Sequence, residues 1–141
     1  MLRPAESPGF LLWHATLRWQ REISGALAPL DLTHVQFVLL ACTWWVNRDG
    51  TQPTQAELAA FAGTDVKMTS QVVRSLERKG LVARTVDERD SRARLVRTTR
   101  KGARLAPRAI EAVELVDRRF FGPVRWADAL ALLRQLAPSA G

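Results

Sequence analysis

Four arginines lie close together near residue 90, and their spacing suits the binding of an anion. Residues 87–99 read DERDSRARLVRTT, in which Arg89, Arg92, Arg94 and Arg97 are separated by acidic, small or apolar residues. Alternation with a period of two is typical of a β-strand, because successive side chains point to opposite faces. We therefore expect one face of this strand to pack on a core and the other to present guanidinium groups to an anionic partner.

A second set of polar side chains recurs at helical spacing just upstream. In residues 66–79, one face of the predicted helix consists of Thr69, Val72, Val73 and Leu76. The opposite face carries Lys67, Ser70, Gln71, Arg74 and Arg78. Side chains of these types hydrogen-bond to base edges and phosphates in the major groove of DNA. The pattern predicts a short cationic helix suited to a major groove; an ordinary solvated helix face is the alternative.

The excess positive charge is confined to this part of the chain. The 141 residues include 21 Lys/Arg and 14 Asp/Glu, for a net charge of +7. The segment from Lys67 to Arg104 holds 12 basic and 4 acidic residues, a balance of +8, which leaves −1 for the remainder. This confinement favours a phosphate backbone as the partner. An anionic membrane fits less well, because the segment lacks an amphipathic helix with large exposed apolar residues.

Local signals predict mostly helices around these residues. N-cap or capping-box patterns at Ser7, Thr33 and Thr54 mark the starts of the first three helices. Gly63 and Gly80 end the third and fourth helices. The third and fourth helices are short and joined by a tight turn, which is a helix-turn-helix pattern.

A β-hairpin and two more helices complete the predicted order. The stretches LVARTV and ARLVRTT are strand-like, and residues 87–91 between them are predicted to form the hairpin loop. A long helix is expected from Thr99 to near Gly122, with Pro107 able to kink it, and a last helix is expected to start at Pro123. The predicted fold class is mainly α with a small β-hairpin: a winged helix-turn-helix with flanking helices.

Length and composition favour one domain in a reducing compartment. At 141 residues the chain can bury one core. The N-terminus lacks a secretory signal, and the longest apolar run, residues 35–46, is too short to span a bilayer. The single cysteine, Cys42, excludes an internal disulfide. We therefore expect a cytoplasmic protein with no membrane partner.

Residues suited to catalysis or metal binding are sparse. His14 and His34 are far apart in sequence, no His/Cys/carboxylate cluster has metal-ligand spacing, and no glycine-rich phosphate loop is present. We therefore expect no catalytic residue, no metal and no cofactor. Cys42 could be a redox switch, but a buried small residue is favoured, because no nearby positive charge would stabilise its thiolate.

The residues that suggest DNA binding also resemble the MarR family of winged-helix transcription regulators. The family signature, Asp-x-Arg-Asp-x-Arg followed by a strand and Thr-x-x-Gly, is matched by Asp87, Arg89, Asp90, Arg92, Val96, Thr99 and Gly102. LTHVQFVLL, TQAELA and SLERKGLVAR are similar to the second helix, the third helix and the end of the recognition helix. The resemblance covers residues 10–137. Thr98, where the family usually has an apolar residue, and the short N-terminal arm depart from the pattern.

The resemblance implies a homodimeric regulator that binds a pseudo-palindromic operator in double-stranded DNA. Within a single winged-helix protein, residues 1–141, it assigns DNA binding to residues 30–100 and dimerisation to residues 7–29 together with 101–137. The residues expected to contact DNA are Thr54, Lys67, Thr69, Ser70, Gln71, Arg74, Arg89, Asp90, Arg92 and Arg94. A repressor is expected, relieved by a small aromatic effector.

Several alternatives remain open at this point. Trp13, Leu17 and Trp44 are expected to line an effector pocket where the first two helices meet the fifth, although aromatic residues on helices more often belong to a core. The operator, the effector and the choice between repression and activation are left open. A winged helix that binds another protein, without sequence-specific DNA contact, is the alternative function; it would not require Lys67 and Gln71 to face outward beside a basic wing.

Overall fold

The computed structural model describes residues 1–137 of the chain. Within this part the elements are α1 Pro8–Leu27, α2 His34–Asn47, α3 Gln55–Ala62, α4 Val66–Arg78, β1 Val82–Asp87, β2 Asp90–Thr98, α5 Arg100–Phe120 and α6 Trp126–Leu136. Single 3-10 turns precede α1 and α2. This order confirms the predicted fold class, mainly α with one β-hairpin.

Side-chain caps explain where the first three helices start. Ser7 Oγ accepts a hydrogen bond from a backbone N–H in the first turn of α1. Thr33 and Gln36 form a reciprocal capping box at 3.1 and 3.2 Å before α2. Thr54 and Glu57 form another at 2.8 and 3.1 Å before α3. These bonds satisfy backbone N–H groups that have no partner within the helix, and they confirm the predicted starts.

Helix α2 lies at the centre of the structure, in contact with α1, α3, α4, α5 and β2. The core around it is aliphatic. Its fully buried members are Ile23, Leu27, Leu39, Leu40, Leu58, Val73, Leu76, Val96, Ala106 and Ala109. The helix-turn-helix, the hairpin and the two long helices α1 and α5 therefore share one core, which holds the surface residues of α4 and of the hairpin in a defined arrangement.

The hairpin has a shorter turn than the sequence pattern suggested. β1 and β2 pair antiparallel, with a β-bulge between Val86 and Asp87. The extra residues are on β2, where residues 91–93 lie between the partners of Val86 and Asp87. Asp87 pairs with Asp90, and only two residues form the turn. The hairpin turn therefore lies within the predicted loop, residues 87–91, but the predicted bounds were too wide.

The faces of β2 also differ from the expectation of one core face and one arginine face. Val96 is the fully buried residue of the strand, whereas Leu95 is half-buried. Arg94 lies two residues before Val96 and so shares its face. The backbone N–H of Val96 donates to the carbonyl of Pro53 at 2.8 Å, so the segment before α3 extends the edge of the hairpin. This third segment pairs with the edge of β2 at Leu95 and Val96, which the alternating pattern could not reveal.

The last two helices meet the predictions in part. Thr99 Oγ1 accepts a first-turn N–H at 3.1 Å, so α5 begins where expected, and it continues through Pro107 as one helix. α6 begins at Trp126 rather than at Pro123 as predicted. The later start has a local cause, because a hydrogen bond from Val124 N–H to the Phe121 carbonyl at 2.9 Å closes a turn there first.

No single helix among residues 1–137 has the length and hydropathy needed to cross a bilayer. The segments Pro8–Leu30 and His34–Asn47 would pass that test only as a pair bent by 72°, and the buried core helix of a globular protein passes it equally well.

Candidate nucleic-acid interface

The start of α4 is fixed by a compact set of hydrogen bonds. Asp65 Oδ1 accepts from the backbone N–H groups of Lys67 and Met68 at 2.8 and 3.1 Å. The hydroxyl of Thr69 lies 2.7 Å from that of Thr64 and donates to the Asp65 carbonyl at 2.8 Å. Asp65 is therefore the N-cap of α4, a positioning residue that the sequence predictions missed although its residue type is typical of N-caps.

Thr69 does not belong to the surface that was predicted to contact DNA. None of its surface is exposed, and its hydroxyl is engaged at the start of the helix. This placement corrects its inclusion in the DNA-contact set and agrees instead with its helical periodicity, which put it on the apolar face. Thr69 holds the tight turn before α4, and so acts on the interface only through the position of the helix.

The other predicted α4 residues lie together on the outer face of the helix. Lys67, Gln71 and Arg74 are exposed, and Ser70 is half-buried. They line one open concavity with Gln55, Thr64, Asp65 and Val66. The N-terminus of α4 lies at the same surface, where its partial positive charge is met by the carboxylate of the N-cap Asp65. The surface therefore carries a lysine, an arginine and hydrogen-bonding side chains on an exposed helix, which suits entry into a groove.

Two aspartates fix the conformation of the tip of the wing, residues 82–98, by hydrogen bonds to the backbone. Asp87 Oδ1 accepts the backbone N–H of Arg89 at 3.0 Å and lies 3.6 Å from its Nε. Asp90 Oδ1 accepts the backbone N–H of Arg92 at 3.0 Å. The Asp87 side chain is only 9% exposed, compared with 86% for Arg89. The Asp-x-Arg spacing therefore repeats one local device, in which each carboxylate bonds the amide two residues on and leaves the arginine side chain directed to solvent.

The four predicted wing residues thus have different placements. Arg89 and Arg92 are exposed. Asp90 is exposed too, but its carboxylate is bonded within the tip and shapes the turn. Arg94 is half-buried, and its Nη1 donates to the carbonyls of Ser91 and Ala93 at 3.1 and 3.3 Å. The guanidinium groups directed to solvent at the tip are therefore those of Arg89 and Arg92.

The wing and α4 meet at the start of α3. Thr54, the N-cap of α3, is half-buried and lines a second concavity together with Val66 of α4 and Arg92 and Arg94 of the wing. Its hydroxyl accepts the N–H of Glu57 at 3.1 Å, so its first role is to cap α3. Helix α4 and the wing therefore form one continuous surface that passes over Thr54.

An ion pair that the sequence did not reveal sets the angle between α4 and the wing. Arg84 on β1 donates to both carboxylate oxygens of Glu77 on α4, at 3.3 and 3.1 Å, and its third nitrogen lies 3.5 Å from Gln55 Oε1 on α3. The hydrogen bond from Arg84 lowers the pKa of Glu77 below its ordinary value, against a smaller opposing effect of burial. One guanidinium thus ties β1 to α4, the element before it, and to the start of α3.

The residues predicted to form an effector pocket are not brought together within one chain. Trp13 and Leu17 lie on the outer surface of α1, 60% and 39% exposed. Trp44 packs against the core, with its ring 5.2 Å from the guanidinium carbon of Arg48. Because α1 and α2 diverge from their connection with a bend of 72°, a rise of about 1.5 Å per residue separates Trp13 from Trp44 by roughly 25 Å or more. The prediction of a single pocket lined by all three was wrong.

Cys42 and His14, the other residues that could be reactive, are packed against neighbouring side chains. Cys42 is half-buried in α2, and burial raises the pKa of its thiol, which disfavours the nucleophilic thiolate. His14 packs edge-on against Phe10, with the ring centroids 4.5 Å apart. In residues 1–137, no three His, Cys, Asp or Glu side chains are grouped so that they could hold a metal ion.

The fold and this surface place the protein in the class of winged helix-turn-helix proteins with flanking helices. The sequence model of the MarR family matches residues 32–93. The chain is 46% identical over 118 residues to the uncharacterised HTH-type transcriptional regulator YdcH of Bacillus subtilis, a match covering 84% of this chain and 80% of YdcH. It is 35% identical over 130 residues to the HTH-type transcriptional repressor Mb2911 of Mycobacterium bovis, covering 92% of this chain and 83% of the relative.

A solved structure shows the same fold. The structure of Bordetella bronchiseptica BpsR, described with the regulation of its DNA binding by 6-hydroxynicotinic acid, matches with a TM-score of 0.83 and 25% identity, covering 96% of this chain and 94% of that one. The chain belongs to the MarR family of transcriptional regulators. This membership confirms the resemblance identified from the sequence, and the family and these relatives are regulators rather than enzymes.

Proposed function

We propose that this protein is a homodimeric repressor that binds a pseudo-palindromic operator in double-stranded DNA. The observation that carries the proposal is the single surface formed by Lys67, Gln71 and Arg74 on α4 and by Arg89 and Arg92 at the wing tip. In this arrangement α4 reads base edges in a major groove. The wing arginines lie beside it, where an adjacent minor groove with enhanced negative potential would attract them.

The proposed dimer rests on apolar side chains that one chain leaves uncovered. On α1, the consecutive residues Phe10, Leu11, Leu12 and Trp13 are 46–60% exposed. On α6, the exposed apolar residues are Trp126, Leu132, Leu133 and Leu136. Apolar surface of this density is characteristic of an interface. We propose that residues 7–29 and 101–137 form the dimer contact and that residues 30–100 form the DNA-binding lobe, with the two α4 helices separated by about one turn of DNA, or ~34 Å.

We further propose that the protein represses transcription and that a small ligand controls this repression. Mb2911 is named as a repressor, and 6-hydroxynicotinic acid regulates the DNA binding of BpsR. These relatives support repression that is relieved by a small aromatic acid. A regulator of this kind acts in the cytoplasm, where a bacterial chromosome lies.

A concavity of about 520 Å³ offers such an acid a site that does not depend on Trp13 or Trp44. Its apolar lining includes Leu30, Leu81 and Leu105, and its basic lining consists of Lys79, Lys101, Arg104 and Arg108. It joins the end of α4 to α5, so a bound acid could favour one orientation of α4 over another. A ligand shifts this equilibrium only by its differential affinity for the two states.

Mobility-shift titrations test the proposal. With DNA from the region upstream of its own coding sequence, or with sequences selected from a random library, the protein should bind one duplex per dimer in preference to unrelated DNA. The logarithm of the affinity should fall with the logarithm of salt by about 0.9 per phosphate neutralised. A flat salt response, or equal affinity for all duplexes, would favour the alternative, a winged helix that binds another protein.

Sedimentation and calorimetry test the dimer and the effector separately. A compact monomer at micromolar concentration would refute the dimer. Titration with aromatic acids, with and without operator, should show that DNA and acid weaken each other's binding by the same factor. Arg104→Gln should weaken acid binding, while Arg3→Gln, a change in an exposed arginine before α1, should not.

A further inference from the structure

Val66 is an exposed apolar residue in the middle of the cationic surface. It is the first residue of α4, directly after the N-cap Asp65, and 61% of it is exposed. It lines both the concavity shared with Lys67, Ser70 and Gln71 and the one shared with the wing. Val66 therefore lies where the recognition helix, α4, and the wing meet, among side chains that are mostly polar or charged.

Neither the core nor helix formation accounts for a valine here. On the same helix Val73 is completely buried and belongs to the core, whereas Val66 is outside it. Valine is also a weaker helix former than alanine, lysine or glutamine, since its branched side chain loses rotamer freedom in a helix. A single exposed apolar residue is ordinary on a protein surface. Its position between the polar groups of Lys67, Ser70 and Arg92, on the surface proposed to meet DNA, makes it available for an apolar contact there.

The chemistry of the major groove restricts what that partner can be. Base edges present hydrogen-bond donors and acceptors, and the C5-methyl of thymine is the apolar group among them. In helix-turn-helix proteins the N-terminal residues of the recognition helix contact the base edges. Val66 is the N-terminal residue of α4, and its side chain can offer only apolar contact.

We propose that Val66 determines specificity by packing against the 5-methyl group of a thymine on the wing side of α4. The assignment rests on the proposed function, because it requires α4 to enter a major groove. It divides the reading of each half-site between an apolar contact at Val66 and polar contacts at Gln71 and Arg74. Removal of the thymine 5-methyl group should weaken binding about three- to fivefold per half-site. This is the effect expected when one methylene-sized apolar contact is lost.

Replacing thymine by uracil in the operator tests this contact directly. Uracil lacks only the 5-methyl group and keeps the same base pairing, so any loss of affinity reports apolar contact. An operator is first selected from random duplexes, and each thymine is then replaced in turn, symmetrically in both half-sites. The wild-type protein should lose affinity at one thymine position per half-site. Val66→Ala keeps a single, less extended methyl group, so its uracil effect at that position should be clearly smaller than that of the wild type.

Matched variants separate the methyl contact from general damage. Val66→Ile retains a branched apolar side chain and should keep the uracil effect. Gln71→Ala should lower affinity but leave the uracil effect unchanged, because it removes a polar contact. Thermal melting of each variant checks that it is folded, which is expected because Val66 lies outside the core.

The possible outcomes distinguish a failure of the proposed function from a failure of the Val66 contact alone. If no sequence is selected from the library, the proposed function fails, and the role of Val66 fails with it. If an operator is selected but Val66→Ala shows the same uracil sensitivity as the wild type at every thymine, only the role of Val66 is refuted. The same holds if the wild type is insensitive to uracil throughout.

Discussion

Arg84 and Glu77 join the wing to the recognition helix through two hydrogen bonds, 3.3 Å from Nε to Oε2 and 3.1 Å from Nη2 to Oε1. The two-point contact restricts the angle between the planar groups as well as their separation. Since Glu77 is on α4 and Arg84 is on β1, the pair fixes the wing relative to the surface of α4. The same guanidinium approaches Gln55, so the start of α3 is held in this arrangement as well.

The pair predicts a pH-dependent contribution to stability. The folded-state pKa of Glu77 is lowered, chiefly by the hydrogen bond from Arg84. Its contribution is therefore present above the ordinary glutamate pKa of about 4.3 and is lost as the pH falls through the lower folded value. Urea unfolding at pH 7 should show that Glu77→Gln costs about 0.2–1 kcal/mol, a modest value because the pair is partly exposed. This difference should shrink as the pH falls below about 4, while Glu114→Gln should show no comparable trend.

The parts of the fold that sequence analysis predicted correctly depend on local chemistry. The helix starts at Ser7, Thr33, Thr54 and Thr99 each follow from a side chain that caps the backbone amide three residues on. The outer face of α4 follows from the helical repeat alone. Contacts of this kind lie within one turn of a helix, so the order of residue types is enough to predict them.

The parts that were missed depend on where distant segments meet. The extension of the hairpin by Pro53 joins segments more than forty residues apart. Arg84 and Glu77 are only seven residues apart, but their ion pair depends on how β1 turns back beside α4. Val96 is buried because its side chain belongs to the core, where β2 contacts α2, which alternation along one strand cannot indicate. Trp13 and Trp44 were grouped by residue type, but the angle between α1 and α2 separates them. Thr69 was misassigned to the DNA contacts for a different reason, because its hydroxyl completes the local cap of α4.

A close approach between two backbones predicts that Gly102→Ala is damaging. A Cβ at Gly102 would lie 1.9 Å from the carbonyl oxygen of Leu81, and that oxygen is held by the Thr99 N–H at 3.0 Å. Because the obstacle is backbone, relief requires α5 to move away from the turn after α4, at a cost of about 1–3 kcal/mol or more. Gly25→Ala in α1 is the matched control, since a Cβ there has nothing within 4 Å. It should be neutral or stabilise the fold, because alanine is the better helix former. Equal unfolding midpoints for the two variants would contradict this packing.

His34 reports on the junction of α1, α2 and α5. Its pKa is lowered, chiefly by burial, and the carboxylate of Asp117 opposes that effect. Trp19 bridges the two, because its Nε1 donates to Asp117 Oδ1 at 2.8 Å and its ring lies edge-on 5.1 Å from the imidazole. Asp117→Asn keeps a hydrogen-bond acceptor but removes the charge, so the pKa of His34 should fall further. NMR titration of the imidazole measures this directly.

The sign of the His34 shift also determines its effect on stability. Because the folded state binds the proton less readily than the unfolded state, this group's contribution weakens as the pH falls below the ordinary histidine pKa of about 6.5. Asp117→Asn should enlarge that loss between about pH 7 and pH 5. Glu111→Gln, which changes an exposed carboxylate on α5, serves as the control. A histidine pKa that rises in the Asp117 variant would contradict the arrangement of charge at this junction.

The last prediction separates base recognition by α4 from phosphate binding by the wing. Gln71 and Arg74 are exposed on the face of α4, and replacing either by alanine should relax the preference at one base pair per half-site by about 1–3 kcal/mol. Arg92 is exposed at the wing tip, where its backbone amide is held by Asp90. Arg92→Ala should weaken binding to all sequences by a similar factor and reduce the salt slope by about 1 per wing.

Competition binding against a panel of operators with single base-pair changes, repeated at several salt concentrations, measures both effects. Arg3→Ala removes an exposed arginine before α1 and should change neither the preference nor the slope. Arg92→Asp, by placing a negative charge at the tip, should weaken binding further than alanine while keeping the order of preferred sequences. If Gln71→Ala and Arg74→Ala leave that order unchanged and Arg92→Ala alters it, then the wing rather than α4 reads the bases.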